Sequence, residues 1–365
     1  MKKSVITLAL VLVIALLTGC AGPPVVYYSD CTCPTGAHTE TTPADPIPET
    51  TAPVESAPTL EGAVKTGIAI IASAGESTSA GDADGEAKYD VSVVAVTVDD
   101  NGVIQSCIID SIGTSVLFDV NGAIVSDLTA EVPTKNELGD AYNMKLYGGA
   151  VAEWYEQAAA LASFAEGKTV EELKAGAVDE TGHAVDADLA TTATIYLGGY
   201  VSAVEVAVNN AQHLGAQAGD ELRLAAIPSL KSSVSATAEK AGTAQLDCDV
   251  TALTVKDGVI TSCYIDSLQA KVSFGADGVI TTDLTAAVAT KNQLGEKYGM
   301  VAWGGAIAEW NVQAASFASY VTGKTAAQVA GIAVDAGTKP TDADLATSVT
   351  IAIGGFQALI AKAFA

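Results

Sequence analysis

Arginine is nearly absent from this 365-residue chain, and aromatic residues and positive charge are scarce. Arg223 is the only arginine, aromatic residues make up 5% of the chain, and 43 aspartate and glutamate residues outnumber 18 lysines and arginines. The formal net charge of −25 argues against binding of nucleic acid or anionic lipid headgroups through charge. With one arginine, a bidentate guanidinium site for phosphate or carboxylate exists at most once.

The N-terminus has the pattern of an export signal. Met1-Lys2-Lys3 is followed by an apolar run from Val5 to Leu17 and then by Thr18-Gly19-Cys20. About 13 apolar residues are too few to span a bilayer, and the small residues before Cys20 resemble the lipobox of bacterial lipoproteins. We therefore predict a lipoprotein signal peptide over 1–19 and acylation of Cys20. This places the chain at the extracytoplasmic face of the cell membrane, held by its lipid anchor.

Residues 20–60 have the composition of a tether. Eight of the eleven prolines of the chain lie here, mixed with threonine and glutamate. Such a segment buries too little apolar surface to fold and predicts a disordered, extended spacer.

The rest of the chain is a tandem repeat. Thr134-Lys135-Asn136-Glu137-Leu138-Gly139 recurs 156 residues later as Thr290-Lys291-Asn292-Gln293-Leu294-Gly295, and the segments 152–154, 167–169 and 186–191 recur with the same offset. Internal repeats indicate copies of one structural unit. We predict one repeat domain over 61–215 and a second over 216–365.

Local patterns predict an α+β fold for each copy, with antiparallel β-hairpins packed against two main helices. Apolar runs over 93–98 and 103–109 flank Asn101-Gly102, which favours a hairpin, and runs over 116–118 and 123–125 suggest another. Apolar residues at helical spacing predict a helix over 149–166. Thr169 to Glu172 has the capping-box pattern of a further helix. Residues 190–197 are rich in β-formers, Gly198-Gly199 interrupts them, and 200–212 favour a helix.

The repeat helps to select candidate chemical sites, because a site that belongs to the shared domain is expected in both copies. None of the three histidines, at 38, 183 and 213, recurs, so a repeated histidine triad or metal site is not expected. Gly167-Lys168-Thr169 lacks the preceding glycine of a P-loop, and the Asp186/Asp188 pair is interpreted as turn-forming. We predict no catalytic residue, no metal ligand and no enzyme activity.

Five cysteines remain besides Cys20. Cys107 and Cys263 are equivalent positions, interpreted as buried thiols, and Cys248 has no counterpart. Cys31 and Cys33 favour a local disulfide over a metal site or a redox pair.

The best binding candidate combines lysine with paired glycines. Its residues in the first copy are Thr134, Lys135, Asn136, Tyr142, Gly148 and Gly149, and in the second Thr290, Lys291, Asn292, Tyr298, Gly304 and Gly305. A glycine pair before a helix leaves backbone amides for an anion, and lysine adds charge. The tyrosines offer stacking to a planar ligand, although these aromatics are also consistent with core positions.

The order of elements resembles the FMN-binding domain family of bacterial envelope flavoproteins over 93–208 and from 250 to the C-terminus. That family has an Asp-x-x-Ser-Gly-Ala-Thr-x-Thr stretch in which a threonine is esterified to FMN; here Asp186 to Thr194 and Asp342 to Thr350 stand in its place, with Asp-Leu instead of Ser-Gly. The resemblance implies FMN as cofactor, Thr191 and Thr347 as attachment positions, and envelope redox proteins as partners. The alternative is a non-catalytic envelope lipoprotein with tandem spacer domains, which binds a wall or protein partner.

Overall fold

The computed structural model describes residues 62–365, which belong to one compact unit. The predicted signal peptide, Cys20, the tether, Cys31, Cys33 and His38 lie outside these residues. Among the described residues, the first copy contains strands β1 Lys65–Ser73, β2 Gly85–Val98 and β3 Ile104–Phe118, and helices α1 Lys135–Leu138, α2 Met144–Gly148, α3 Trp154–Ala165, α4 Val170–Ala177, α5 Ala187–Thr192 and α6 Gly198–Asn209. The second copy contains β4 Glu221–Ser229, β5 Gly242–Lys256, β6 Val259–Phe274, α7 Lys291–Leu294, α8 Met300–Gly304, α9 Trp310–Val321, α10 Ala326–Ala330, α11 Ala343–Ala346 and α12 Gly354–Ala363.

Each copy forms one half of the unit, with an antiparallel three-stranded sheet in the order β1-β2-β3 or β4-β5-β6. This confirms the α+β class, the antiparallel hairpins and the two similar halves. Side chains alternate between the two faces of a strand. In β2, Val91 and Val93 face a core shared by both sheets, whereas Val94 and Val96 pack against helices of the first half.

The shared core joins the two halves. The rings of Phe118 and Phe274 stack across it with centroids 4.0 Å apart and planes within 3°. The hydroxyl of Tyr89 donates to the carbonyl of Ala244 at 2.8 Å. The layers therefore run helices, sheet, sheet, helices, and the main helices α3, α6, α9 and α12 lie on the outer faces of the sheets.

Several local predictions are confirmed. The β2–β3 hairpin turns at Asn101-Gly102, although both strands extend beyond the predicted bounds. The capping box at Thr169 is formed: Thr169 Oγ1 accepts from the Glu172 amide at 3.3 Å, and the Glu172 carboxylate accepts from the Thr169 amide at 2.9 Å. Asp186 caps α5, as its turn-forming interpretation required. Cys107, Cys248 and Cys263 are buried free thiols.

The second hairpin is formed at the predicted turn, but as a single antiparallel bridge between Phe118 and Ile124 and not as paired strands. Three other predictions of secondary structure are wrong. The helix predicted over 149–166 begins only at Trp154, after the extended N-cap Glu153, and Gly149 ends the separate helix α2. Residues 190–197 form no strand: the Gln157 side-chain carbonyl accepts from the amides of Thr194 and Ile195, at 2.7 and 3.1 Å, and so satisfies groups that a strand would pair. The helix predicted over 200–212 begins at Gly198, so Gly198 and Gly199 are its first two residues and do not separate it from the preceding segment.

Candidate functional site

A cleft of about 680 Å³ in the first half contains four of the six residues predicted there as a binding site. We call it the lysine cleft. Its lining residues are Ser92, Lys135, Tyr142, Met144, Gly148, Gly149, Ala150, Trp154, Thr194, Ile195, Tyr196, Gly199 and Tyr200. The cleft has the size of typical small-molecule sites.

The predicted residues Thr134 and Asn136 do not line the cleft but position Lys135. Thr134 caps α1, since its hydroxyl accepts from the Glu137 amide at 3.2 Å. The Asn136 side chain donates to the Ile109 carbonyl at 3.0 Å, which fastens α1 to β3. Thr290 and Asn292 make the same contacts in the second half. Two residues of the repeated motif thus fix the turn, and the lysine between them is left for the cleft.

Aromatic rings surround the lysine. Lys135 Nζ lies 5.3 Å from the ring centroid of Tyr142 and 5.2 Å from that of Trp154. Trp154 in turn contacts Tyr200 edge-to-face at 5.7 Å. Among residues 62–365, Lys135 has no salt-bridge partner. A lysine that contacts aromatic faces and has no carboxylate partner keeps its positive charge available to a ligand that enters the cleft.

The backbone amides next to the glycine pair are already bonded. The Gly149 amide donates to the Met144 carbonyl. The buried Glu153 carboxylate accepts from the amides of Met144 and Lys145 at 2.7 and 3.1 Å. The glycine pair therefore shapes the cleft wall, and Lys135 supplies the positive charge that an anion would meet there.

The anchor beneath α1 is a buried aspartate that the sequence patterns did not single out. Asp110 Oδ1 accepts from the amides of Asn136 and Ser111 at 3.1 and 2.7 Å. Burial raises the pKa of Asp110, and the nearby Glu137 carboxylate adds to this effect, against hydrogen bonds that lower it. Asp266 has the same bonds in the second half. The recurrence of Asp110 as Asp266 at the repeat offset is the signal that could have found it.

The second half has an equivalent lysine with two neighbouring aromatic rings, but a different side chain lies near the lysine on the adjacent strand. Lys291 Nζ is 5.4 Å from the Tyr298 centroid and 4.8 Å from that of Trp310. Burial lowers the pKa of Lys291, and the carboxylates of Asp249 and Asp247 oppose this shift. Asp249 stands at the position of Ser92 in the repeat, so a carboxylate acts electrostatically on this lysine. Within 62–365 Lys291, like Lys135, forms no salt bridge. Gly304 and Gly305 end α8 as Gly148 and Gly149 end α2.

The two threonines that the family resemblance implies as flavin attachment positions lie outside the lysine cleft. Thr191 and Thr347 are exposed, in α5 and directly after α11. Their hydroxyls donate to the carbonyls of Asp188 and Asp344, each at 2.7 Å. Thr191 lines a shallow depression that also contains Glu156, and a carboxylate opposes a phosphate group there.

The only arginine also lies away from the cleft. Arg223 is on β4, where its guanidinium carbon lies 4.6 Å from the Phe364 ring and its Nη1 donates to the Ala363 carbonyl at 3.3 Å.

Within 62–365 no three histidine, cysteine, aspartate or glutamate side chains are grouped to hold a metal ion. In the same range, no helix is both long and apolar enough to cross a membrane.

Comparisons with known protein families, with curated proteins and with solved structures found no match to this chain. The candidate site therefore rests on its own residues. Sequence patterns predicted Lys135, Tyr142 and the glycine pair, and they marked Trp154 through its recurrence as Trp310. They did not predict Ser92, Thr194, Tyr196 or Tyr200 as parts of the same site, since these residues come from other elements of the chain.

Proposed function

We propose that this protein is an extracytoplasmic lipoprotein, anchored through Cys20, whose first half binds a planar anionic molecule in the lysine cleft. FMN is the ligand that the sequence resemblance implies. The observation that carries the proposal is Lys135, a cation without a carboxylate partner in the described chain, set between Tyr142 and Trp154. A phosphate would meet Lys135, and an isoalloxazine ring would stack on Tyr196 or Tyr200.

The proposed binding is non-covalent. The aromatic lining and the lysine are in the cleft, whereas Thr191 and Thr347 are not among its lining residues. As a flavin-binding module on a long tether, the protein would carry electrons between envelope redox partners, with the flavin supplying the redox chemistry and the cleft residues its binding and orientation.

The test is a titration with FMN and with riboflavin, followed by the quenching of tryptophan fluorescence. Lys135→Gln is expected to weaken FMN binding about 10- to 100-fold, because a hydrogen bond to a charged group contributes about 1.5–3 kcal/mol. Riboflavin, which lacks the phosphate, is expected to lose little. Lys174→Gln is the matched control, since Lys174 is an exposed lysine of the same half that pairs with Glu205 at 2.9 Å.

Absence of any saturable flavin binding by the unmodified chain would refute the proposal. Equal effects of Lys135→Gln on FMN and riboflavin would place the phosphate elsewhere. Intact mass measured after incubation with a flavin transferase and FMN tests attachment: an added FMN mass on Thr191 or Thr347 would contradict the non-covalent mode.

A second candidate function is that of a non-catalytic envelope lipoprotein, with the halves as spacer modules that bind a wall or protein partner. It is favoured by two equivalent exposed aromatic side chains, Tyr147 on α2 and Trp303 on α8, which are 84% and 91% exposed. Val151 and the equivalent Ile307 are also exposed. These side chains recur in both halves, so a partner of repeated spacer modules would find the same apolar contact twice. Pull-down from envelope extracts that depends on Tyr147 and Trp303, in a protein without flavin affinity, would favour this function.

A further inference from the structure

A second cavity, separate from the lysine cleft, lies in the other half of the molecule. It has a volume of about 600 Å³ and is bounded by β6, by α9 and by residues 212–214, which connect the halves. Cys263, Tyr264 and Ala318 are among its walls. The Gln212 side chain donates to the Tyr264 hydroxyl at 3.2 Å, which holds the connecting segment at the rim.

This cavity is a feature of the repeat. A smaller one of about 290 Å³ lies in the first half, and each of its eight lining residues has its counterpart, 156 residues later, in the wall of the larger one. The larger cavity also extends to residues 212–214, and its wall has Tyr264 where the first half has Ile108. Two further substitutions reduce side chains at the wall. Tyr155 is replaced by Asn311, and Glu166, whose carboxylate accepts from the Cys107 amide at 3.3 Å, is replaced by Thr322. Both changes shorten the side chain, and the second removes a charge.

The chemistry of the wall is uncharged. No lysine, arginine, aspartate or glutamate is among the residues that line the larger cavity. The Cys263 thiol stays protonated, because burial raises its pKa to about 12. His213, at the rim, is held by Asp100, with Nε2 at 2.9 Å from the carboxylate. Such a wall disfavours an anionic ligand such as FMN.

One polar group of the wall is left without a partner. Asn311 Oδ1 is buried and accepts no hydrogen bond in the described part of the chain. An unpaired buried acceptor is unfavourable, because it has lost its hydrogen bonds to water without gaining a partner. The terminal torsion of asparagine is broad, so the amide can turn its oxygen toward an occupant.

We propose that this cavity is a second binding site, for a small, uncharged and largely apolar molecule with one hydrogen-bond donor. The donor bonds Asn311 Oδ1, and the apolar part packs against Ala318, Ile265 and the methylene of Cys263. This site does not depend on flavin binding in the first half.

The test uses N-phenyl-1-naphthylamine, an uncharged probe with one N–H whose fluorescence rises in apolar surroundings. Residues 20–365 carrying Cys20→Ser are used, so that no acyl chain competes for the probe. We expect saturable binding of one molecule. Asn311→Tyr, which restores the side chain of the first half, is expected to weaken binding at least tenfold. Tyr155→Phe, at the equivalent position of the first half, is the control and is expected to leave binding unchanged.

Ala315→Leu provides a second variant in case Asn311→Tyr does not fold. Ala315 lines the same cavity at its exposed rim, so a larger side chain narrows the cavity without entering the core. It is also expected to weaken binding. The proposal is overturned by a probe signal that does not saturate, or by one that persists unchanged in a folded Asn311→Tyr or Ala315→Leu variant. FMN titrations of the same variants are expected to remain unaffected.

Discussion

The equivalent lysines of the two halves, Lys135 and Lys291, differ in the residues that surround them. In the first half, Ser92 and Tyr196 line the cleft around Lys135; in the second, the equivalent positions are Asp249 and Ala352. A neutral hydroxyl leaves the lysine charge to a ligand, whereas a nearby carboxylate makes the potential around the lysine less positive. Loss of the tyrosine removes a stacking surface. The cavity between the third strand of each sheet and the main helix that follows differs in volume, at about 290 Å³ in the first half and about 600 Å³ in the second.

This comparison teaches that duplication preserved the frame and let each half change one site. The residues that hold the frame recur with the same bonds: Asp110 and Asp266 anchor the helix after the sheet, and Gln157 and Gln313 bond the irregular segment. The walls of the lysine cleft and of the cavity are among the places where the copies differ. Variants in the shared core and at equivalent positions of the halves test how strongly the halves stabilise one another and how their differences change stability.

The largest effect is expected at the ring stack between the halves. Phe118→Ala and Phe274→Ala should each lower the free energy of unfolding by about 3–5 kcal/mol, because both rings are fully buried. Since the rings contact each other, the double variant should cost less than the sum. Urea unfolding measures all three, and Val125→Ala, at a 52% exposed position, is the control. Additive costs would mean that the two rings are not coupled, and two separate transitions would mean that the halves unfold independently.

A smaller loss is expected where a helix approaches a strand most closely. A Cβ on Gly67 would lie 2.0 Å from the Ala207 carbonyl oxygen of α6. Gly67→Ala should therefore destabilise the protein by about 1–3 kcal/mol through overpacking. Gly113→Ala is the matched control in β3, since its nearest neighbour would lie 3.8 Å away. If thermal melting shows equal effects for the two, the close approach of α6 is not a constraint.

At the position equivalent to Gly67, the second half has Arg223. A side chain therefore contacts the C-terminal helix α12 there, whereas in the first half the backbone of Gly67 contacts α6. Arg223 donates to the Ala363 carbonyl of α12 and stacks on Phe364. Arg223→Ala should cost about 1 kcal/mol of unfolding free energy, from one hydrogen bond and one cation–π contact. Glu221→Gln removes only the ion pair with this arginine and should change stability by less than about 0.5 kcal/mol. The reverse order in denaturant unfolding would assign the stabilisation to the ion pair.

The smallest effect is expected in the pH dependence of stability. Burial raises the pKa of both Asp110 and Asp266. A carboxyl group with a raised pKa binds its proton more tightly in the folded state. Its contribution is therefore lost as pH rises from the unfolded value of about 3.9 through the folded pKa. Asp110→Asn should remove this loss, so its stability relative to the unmodified chain should increase across that range.

The two halves should differ in this respect as well. Glu137 adds to the raised pKa of Asp110, whereas Lys291 opposes the shift at Asp266. Carboxyl chemical shifts followed by NMR titration should thus show Asp110 titrating at a higher pH than Asp266. Identical midpoints would show that burial alone decides both values.

Much of the local structure could be predicted because its causes lie within a few residues. The turn at Asn101-Gly102 and the caps at Thr169 and Asp186 depend on side chains that bond their own neighbours. The strand predicted over 190–197 is absent because the bonds of Thr194 and Ile195 go to Gln157, 37 and 38 residues away. Propensity carries no information on such a partner.

The candidate site follows the same division. Lys135, Tyr142 and the glycine pair could be selected because the repeat presents them twice, close together in sequence. The aromatic environment of Lys135 could not, since Trp154, Tyr196 and Tyr200 reach the cleft from other parts of the fold. The role of Thr134 and Asn136 also became clear only from their bonds to α1 and β3.

By itself, then, the sequence determined the repeat, the α+β class, the hairpin turns and the capping box at Thr169, because these depend on periodicity and on short-range hydrogen bonds. Tertiary structure decided that both sheets share one core through Phe118 and Phe274. It also decided that Lys135 faces an uncharged wall while Asp249 acts electrostatically on Lys291, and that Tyr155 and Asn311 line cavities of different volume. The physical reason is that packing brings together side chains distant in sequence, and neither burial nor a cavity volume exists until those side chains are in contact.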